Sequence, residues 1–201
     1  MERDWTGNKK TTFVQLGASN HSDIERESND FYATDPESLG IFLKALERDN
    51  VKLHQDIWEC ACGQGHLSKK LIDNGYKVFS TDLIDRGFGT PGIDFLKIYY
   101  KWNGDILTNP PYKYAKEFVE KSLQVTEVGA YVVMFLKIQF LEGKGRRKLF
   151  EKYPPKYIYV NSSRQTCYIN GYMGTKMSSA SCYCWFVWEN GFKGEPIIRW
   201  I

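Results

Sequence analysis

The chain has 201 residues, 42% of them hydrophobic and 25% charged, the proportions of a globular domain rather than of a fibrous or low-complexity chain. A net charge of +3 permits a polyanionic partner without demanding one. No apolar run reaches membrane-spanning length, Met1 to Trp5 lack a secretory-signal pattern, and the five cysteines are an odd number without framework spacing, so a soluble cytoplasmic protein with reduced thiols is expected, without a membrane partner.

Residues 1–30 are polar and weakly periodic and read as an N-terminal arm, mobile or loosely packed, ahead of a single domain over 31–201. A first helix is expected from Asp35-Pro36-Glu37, with Asp35 as cap, Pro36 in the first turn, and Leu39, Phe42, Leu43 and Leu46 at helical spacing. Ile57 to Ala61 reads as a short strand, Gly63-Gln64-Gly65 as a glycine turn, and His66 to Asn74 as a helix ended by Gly75. Tyr76 to Thr81 is the next strand, closing on Asp82. Strand, glycine turn, helix and strand make a βαβ unit, so its two strands are expected to be parallel.

A glycine-containing loop then leads to Ile93-Asp94-Phe95, and Asp105 to Thr108 is a strand that runs into Asn109-Pro110-Pro111-Tyr112. A helix from Ala115 to about Val125 follows, with Phe118, Val119 and Leu123 inward. Gly129 to Leu136 is a continuous apolar run, the mark of a central parallel strand. The segment from Lys144 to Lys156 is basic, with Leu149 and Phe150 giving it an apolar side; it reads as a solvated helix face or as a phosphate contact. Tyr157 to Val160 and Tyr183 to Trp188 are two last strands, joined by a polar connection over 170–179 of the kind that carries function. Cys60 and Cys62 precede a glycine turn and Cys182 and Cys184 alternate along an aromatic strand, so both pairs read as buried apolar side chains and no metal site is expected.

Three places carry chemistry. Glu59 stands before a Gly-x-Gly loop, and Asp82 falls at the end of the following strand, where a carboxylate can accept from ribose hydroxyls. The third glycine of a dinucleotide fingerprint is missing, which favours a nucleoside without a pyrophosphate. Asp94 can accept from an adenine amine with Phe95 against the ring; a turn acid beside a core phenylalanine reads equally well. At Asn109-Pro110-Pro111-Tyr112 neither proline has an N–H and both have fixed φ, so the corner is stiff. It offers a side-chain carbonyl, backbone carbonyls and an aromatic face, a set suited to a planar amine, although prolines also open helices without any further role.

Phe31-Tyr32-Ala33-Thr34, Glu59 to Gly65, Asp82, Asp94-Phe95 and Asn109 to Tyr112, in that order, resemble the class I S-adenosylmethionine-dependent methyltransferases, in particular the amino-methylating adenine group with Asn-Pro-Pro-Tyr. The stretch from Trp58 to Ser68 and on through Asp82 to Gly87 is similar to small adenine-N6 methyltransferases of bacteriophages and prophages. The resemblance implies an α/β fold: a Rossmann-like, doubly wound, mostly parallel seven-stranded sheet with an antiparallel strand near the C-terminus. It implies S-adenosylmethionine as cofactor, with Glu59 and the backbone of Cys62, Gly63 and Gly65 at its methionine portion, Thr34 assisting at the carboxylate, Asp82 at the ribose, and Asp94 with Phe95 at the adenine. Asn109 and the Pro110 carbonyl would accept from the target amine, Pro111 would stiffen the corner, and Tyr112 would stack on the base. The implied partner is DNA with a flipped or unpaired adenine, in a bacterial host cell; RNA, a protein glutamine amide, or a binding module that kept the fold are the alternatives. After the last strands only Glu189 to Ile201 remain, so a separate target-recognition domain is not expected.

Overall fold

The computed structural model describes residues 32–163, 167–169 and 182–201. The N-terminal arm, Phe31 and the 170–179 connection lie outside the described residues. Helix α1 (Pro36–Arg48) starts as the sequence indicates: the Asp35 carboxylate accepts from the Glu37 N–H at 3.0 Å, and Pro36 occupies the first turn. Its stripe of Leu39, Phe42, Leu43 and Leu46 is buried. Strand β2 (Asp56–Glu59), helix α2 (His66–Asp73) and strand β3 (Lys77–Ser80) form the expected parallel βαβ unit, and β2 also pairs in parallel with β4 (Asp105–Thr108). Helix α3 (Ala115–Val125) leads to β5 (Tyr131–Lys137), parallel to β4. Helix α4 (Lys144–Lys152) and β6 (Tyr157–Val160) come next, and the chain closes with β8 (Tyr183–Glu189) and β9 (Ile197–Trp200).

The main sheet has seven strands in the order β3-β2-β4-β5-β8-β6-β9. Strand β8 runs antiparallel to both neighbours, and all other pairings are parallel. This is the doubly wound α/β sheet with an antiparallel strand near the C-terminus that the sequence implies. A separate two-stranded ribbon joins β1 (Tyr32–Thr34) to β7 (Cys167–Ile169). Strands β1, β7 and β9 are not evident in the sequence. They are three or four residues long, too short for a periodic pattern to register, and β9 is an edge strand whose Ile197, Ile198 and Trp200 stay exposed.

Alternation along the central strands fills both faces. Trp58, Ile106, Val132, Met134 and Phe186 pack with α3 on one side. Ile57, Leu107, Val133, Phe135 and Trp185 pack with α1 and α2 on the other. Trp185 and Trp188 are both core residues. Asp105 is fully buried, and its carboxylate accepts from the backbone N–H of His54 at 2.6 Å and of Tyr131 at 2.7 Å. It thereby fixes where β4 begins relative to β5, and so where β4 delivers its last residue. Among the described residues no helix is long and apolar enough to cross a membrane.

Candidate active site

The chain leaves β2 for β3 on one side, while β4 lies on the other side of β2. A crevice opens beyond the carboxyl ends of neighbouring strands at such a switch point. A cavity of about 530 Å³ occupies that place, within the size range of small-molecule sites. Thr34, Glu59, Cys62, Asp82, Asp94, Phe95, Asn109, Pro110, Pro111 and Tyr112 all line it. The glycines of the turn do not, and the structure gives them another task. Gly65 caps α2 at φ +78°, and a Cβ there would lie 2.3 Å from the Phe88 ring. The close approach that requires glycine is therefore made by an aromatic side chain. Gly63 also has positive φ, and its N–H donates to the Asp82 carboxylate at 2.8 Å.

Glu59 ends β2 and is only 2% exposed, yet it reaches the cavity wall. Burial pushes its carboxyl up to about 8, against the hydroxyl of Ser68, which donates to it, and with the help of the nearby Asp82 charge. Ser68 is in turn 2.6 Å from the Ser80 hydroxyl at the end of β3. Ser68 carries no signal of its own in the sequence beyond its place one turn after the glycines. Asp82 accepts from the N–H groups of Gly63 and, at 2.9 Å, Ile84. Each carboxylate oxygen can accept more than one hydrogen bond, so Asp82 fixes its own loop and can still receive a ligand hydroxyl.

Asp94 caps a short 3-10 turn over Phe95–Lys97, accepting from Leu96 N–H at 3.1 Å, and pairs with Lys97 at 3.0 Å. Phe95 is 2% exposed, packed edge-on to Trp58 and tilted against Phe118. The structure shows the turn acid and the core ring, and both also border the cavity. Burial pushes the Cys62 thiol up to about 12, and it lies 3.6 Å from the Phe88 carbonyl; the buried Cys60 thiol is also raised by burial. No group of three or more His, Cys, Asp or Glu side chains among the described residues is placed to hold a metal ion.

The diproline corner sits at the end of β4, beside Glu59 at the end of β2. The Pro111 carbonyl accepts from Tyr114 N–H at 2.9 Å and opens a 3-10 turn over Tyr112–Tyr114. Among the described residues no hydrogen bond to the Pro110 carbonyl is seen. The Asn109 side chain donates through Nδ2 to the Thr34 hydroxyl at 2.9 Å. Tyr112 is half-buried beside Tyr183, and the Lys137 ammonium stands 5.0 Å from the centre of its ring. Lys137 ends β5, and in the sequence nothing beyond its position after a central strand marks it. In the basic segment Arg146 donates to the Glu142 and Gln139 carbonyls, Arg147 makes an exposed pair with Glu151, and Lys156, beyond the end of α4, pairs with Glu189.

No protein-family model and no curated protein matches the chain. Solved structures do. A Pyrococcus horikoshii protein, provisionally described as an RNA methyltransferase, superposes with a TM-score of 0.59 at 11% identity, over 92% of this chain and 99% of its own. A Listeria monocytogenes protein, provisionally described as a class I S-adenosylmethionine-dependent methyltransferase, gives 0.60 at 13% identity, over 94% and 70%. The methyltransferase subunit of a type I restriction-modification system from Streptococcus thermophilus gives 0.59 at 13% identity, over 86% of this chain and 48% of that one. The fold is that of the class I methyltransferases.

Proposed function

We propose that the protein transfers a methyl group from S-adenosylmethionine to the exocyclic N6 amine of adenine in DNA. One observation supports this most: the Asn109-Pro110-Pro111-Tyr112 corner shares a single cavity with the strand-end acids Glu59 and Asp82. The donor set suits the cofactor. Glu59, a buried acid whose hydrogen-bond partner is a hydroxyl, would become a counter-charge for an ammonium group once that cation displaces its proton. Asp82 would accept from a ribose, and Leu83, Ile84 and Ile93, which also line the cavity, would cover a flat apolar ring.

When bound, the cofactor supplies a methyl group already activated by its sulfonium. The protein's part is to make a poor nucleophile reactive. The lone pair of adenine's amine is spread into its ring. The Asn109 carbonyl oxygen and the Pro110 carbonyl accept its two hydrogens and draw density back to nitrogen, an effect built in before reaction begins. The cofactor's sulfur would be the leaving group and keep the electron pair of its bond to the methyl; the chain's own part is to hold the amine in line with the donor and to leave its surplus proton a path to water. Tyr112 stacks on the extruded base, offsetting part of the few kcal/mol that unstacking costs. Lys137, over the Tyr112 ring, would add a positive charge that a phosphate beside the stacked base could meet.

The test is transfer of labelled methyl to unmethylated DNA, RNA and glutamine-containing protein, followed by mass spectrometry of the product. N6-methyladenine in DNA is expected. Asn109→Ala should abolish transfer while cofactor affinity stays within about twofold, because one acceptor of the transition state is lost and the cofactor's own contacts are not. Label appearing only in RNA or protein would move the substrate, and full activity of Asn109→Ala would end the mechanism.

A further inference from the structure

We propose that Tyr114 is a stacking platform for the base next to the target adenine, so that the substrate is a strand unpaired over the target and its neighbour. The inference rests on the reading of the corner as a site for a flipped or unpaired adenine. The 3-10 turn over Tyr112–Tyr114 follows that corner, and with three residues per turn side chains two apart leave it in different directions. Tyr112 is half-buried beside Tyr183. Tyr114 is 43% exposed, yet it lines the same cavity. Among the described residues its ring meets no other ring, and the Lys113 ammonium stands 5.2 Å from its centre. A single exposed aromatic on a protein surface calls for no explanation. An outer ring two residues beyond an inner one, on the wall of a ligand cavity, does.

The charges say what kind of ligand passes over it. The acids Glu59 and Asp82 stand at the end of β2 and just after β3, and Asp94 is paired with Lys97. The corner has ammonium groups instead: Lys113 at the Tyr114 ring, and Lys137 at 5.0 Å from the centre of the Tyr112 ring. Two rings, each with a cation, match a polyanion that carries a flat base on every unit. A glutamine side chain has one planar amide and no charge, and would leave the outer pair unused. Stacking needs an open face of the base. In a duplex the neighbour of a flipped adenine keeps its stacking within the helix, so only a strand free of its complement there can use Tyr114. Every base has such a face, so the platform tolerates any sequence.

The experiment measures fluorescence anisotropy of a labelled mixed-sequence deoxyoligonucleotide, single-stranded and annealed to its complement, and methyl transfer to both, for wild type, Tyr114→Ala and Tyr114→Phe. Wild type is expected to bind the single strand about tenfold or more tighter than the duplex, because no base has to be unstacked first. Tyr114→Ala raises Kd and KM for the single strand about 5- to 100-fold, the scale of one lost base–ring stack, with S-adenosylmethionine Kd within about twofold. Tyr114→Phe stays within about threefold of wild type, because the ring is kept. In the methylated strand, an abasic site on one side of the target adenine costs wild type a similar factor and costs Tyr114→Ala nothing further. Unchanged single-strand affinity in Tyr114→Ala, or a loss that Tyr114→Phe shares, overturns the proposal. So does a wild type that prefers the duplex. If wild type binds single strands through Tyr114 but transfers no methyl to DNA, the methylation reading fails and the platform stands; if Tyr114→Ala methylates DNA at an unchanged KM, only the platform fails.

Discussion

The Glu59 carboxyl makes a quantitative statement about stability. In the folded protein it holds its proton up to about pH 8, against an ordinary value of 4.5. The folded state therefore binds this proton more tightly than the unfolded chain does. The stability it contributes is complete below the unfolded value and is lost as pH rises toward the folded one. Within that window each pH unit removes about 1.4 kcal/mol. Between about pH 5 and pH 7 the loss approaches 3 kcal/mol, roughly a quarter to a half of a typical domain's stability. Glu59→Gln keeps the shape and the acceptor for the Ser68 hydroxyl and removes the titration. Chemical denaturation of both ligand-free proteins from about pH 5 to pH 8 should show the variant gaining on wild type as pH rises. The groups around Glu59, namely Asp82, Cys60 and the Ser68 and Ser80 hydroxyls, are common to both proteins and cancel in the difference. Stability curves that run parallel over this range would show that the carboxyl is already ionised in the fold, and the reasoning about its burial would fail. The same variant should weaken S-adenosylmethionine binding by about tenfold or more, because a charged partner of the ammonium is lost.

Two other substitutions probe separate parts of the site. Gly65→Ala forces a Cβ into the Phe88 ring at a left-handed φ; it should cost about 1–3 kcal/mol in thermal or chemical unfolding and reduce cofactor affinity, and an unaltered melting curve would contradict the close contact. Lys137→Ala removes the cation over Tyr112 and should raise the KM for DNA about 3- to 10-fold while cofactor Kd is unmoved, which steady-state kinetics with varied DNA would reveal; an unchanged KM would place Lys137 outside the target path.

What could be read from the chain, and what could not, follows from the range of the physics involved. Helices α1 to α3 and strands β2 to β6 and β8 announce themselves through local signals: a cap at Asp35, apolar spacing through Leu46, a glycine turn before His66, and an unbroken apolar run into Leu136. Strand β9 has no such signal. It is held by backbone pairing to β6 while three of its four side chains remain exposed, so nothing in its composition distinguishes it from loop. The basic run of α4 is a helix of which Leu149 alone is buried, the solvated face that was one of its two readings. Within it Arg146 spends its guanidinium on the Gln139 and Glu142 carbonyls and on the Phe140 ring, which the sequence cannot foretell.

The candidate site divides along the same line. Its first layer was legible because polar, proline and glycine residues at strand ends have little reason to be there except a ligand or a turn, and ten of the twelve residues singled out border one cavity. The layer behind it was not. Ser68 against Glu59, Phe88 against Gly65 and Lys137 against Tyr112 are single contacts between residues 9, 23 and 25 positions apart, and ordinary residue types make them. These contacts bear on a proton, a turn and the charge beside a ring. A Phe88→Ala variant, which keeps every residue the sequence singles out and removes only the ring against Gly65, is the sharpest probe of this second layer.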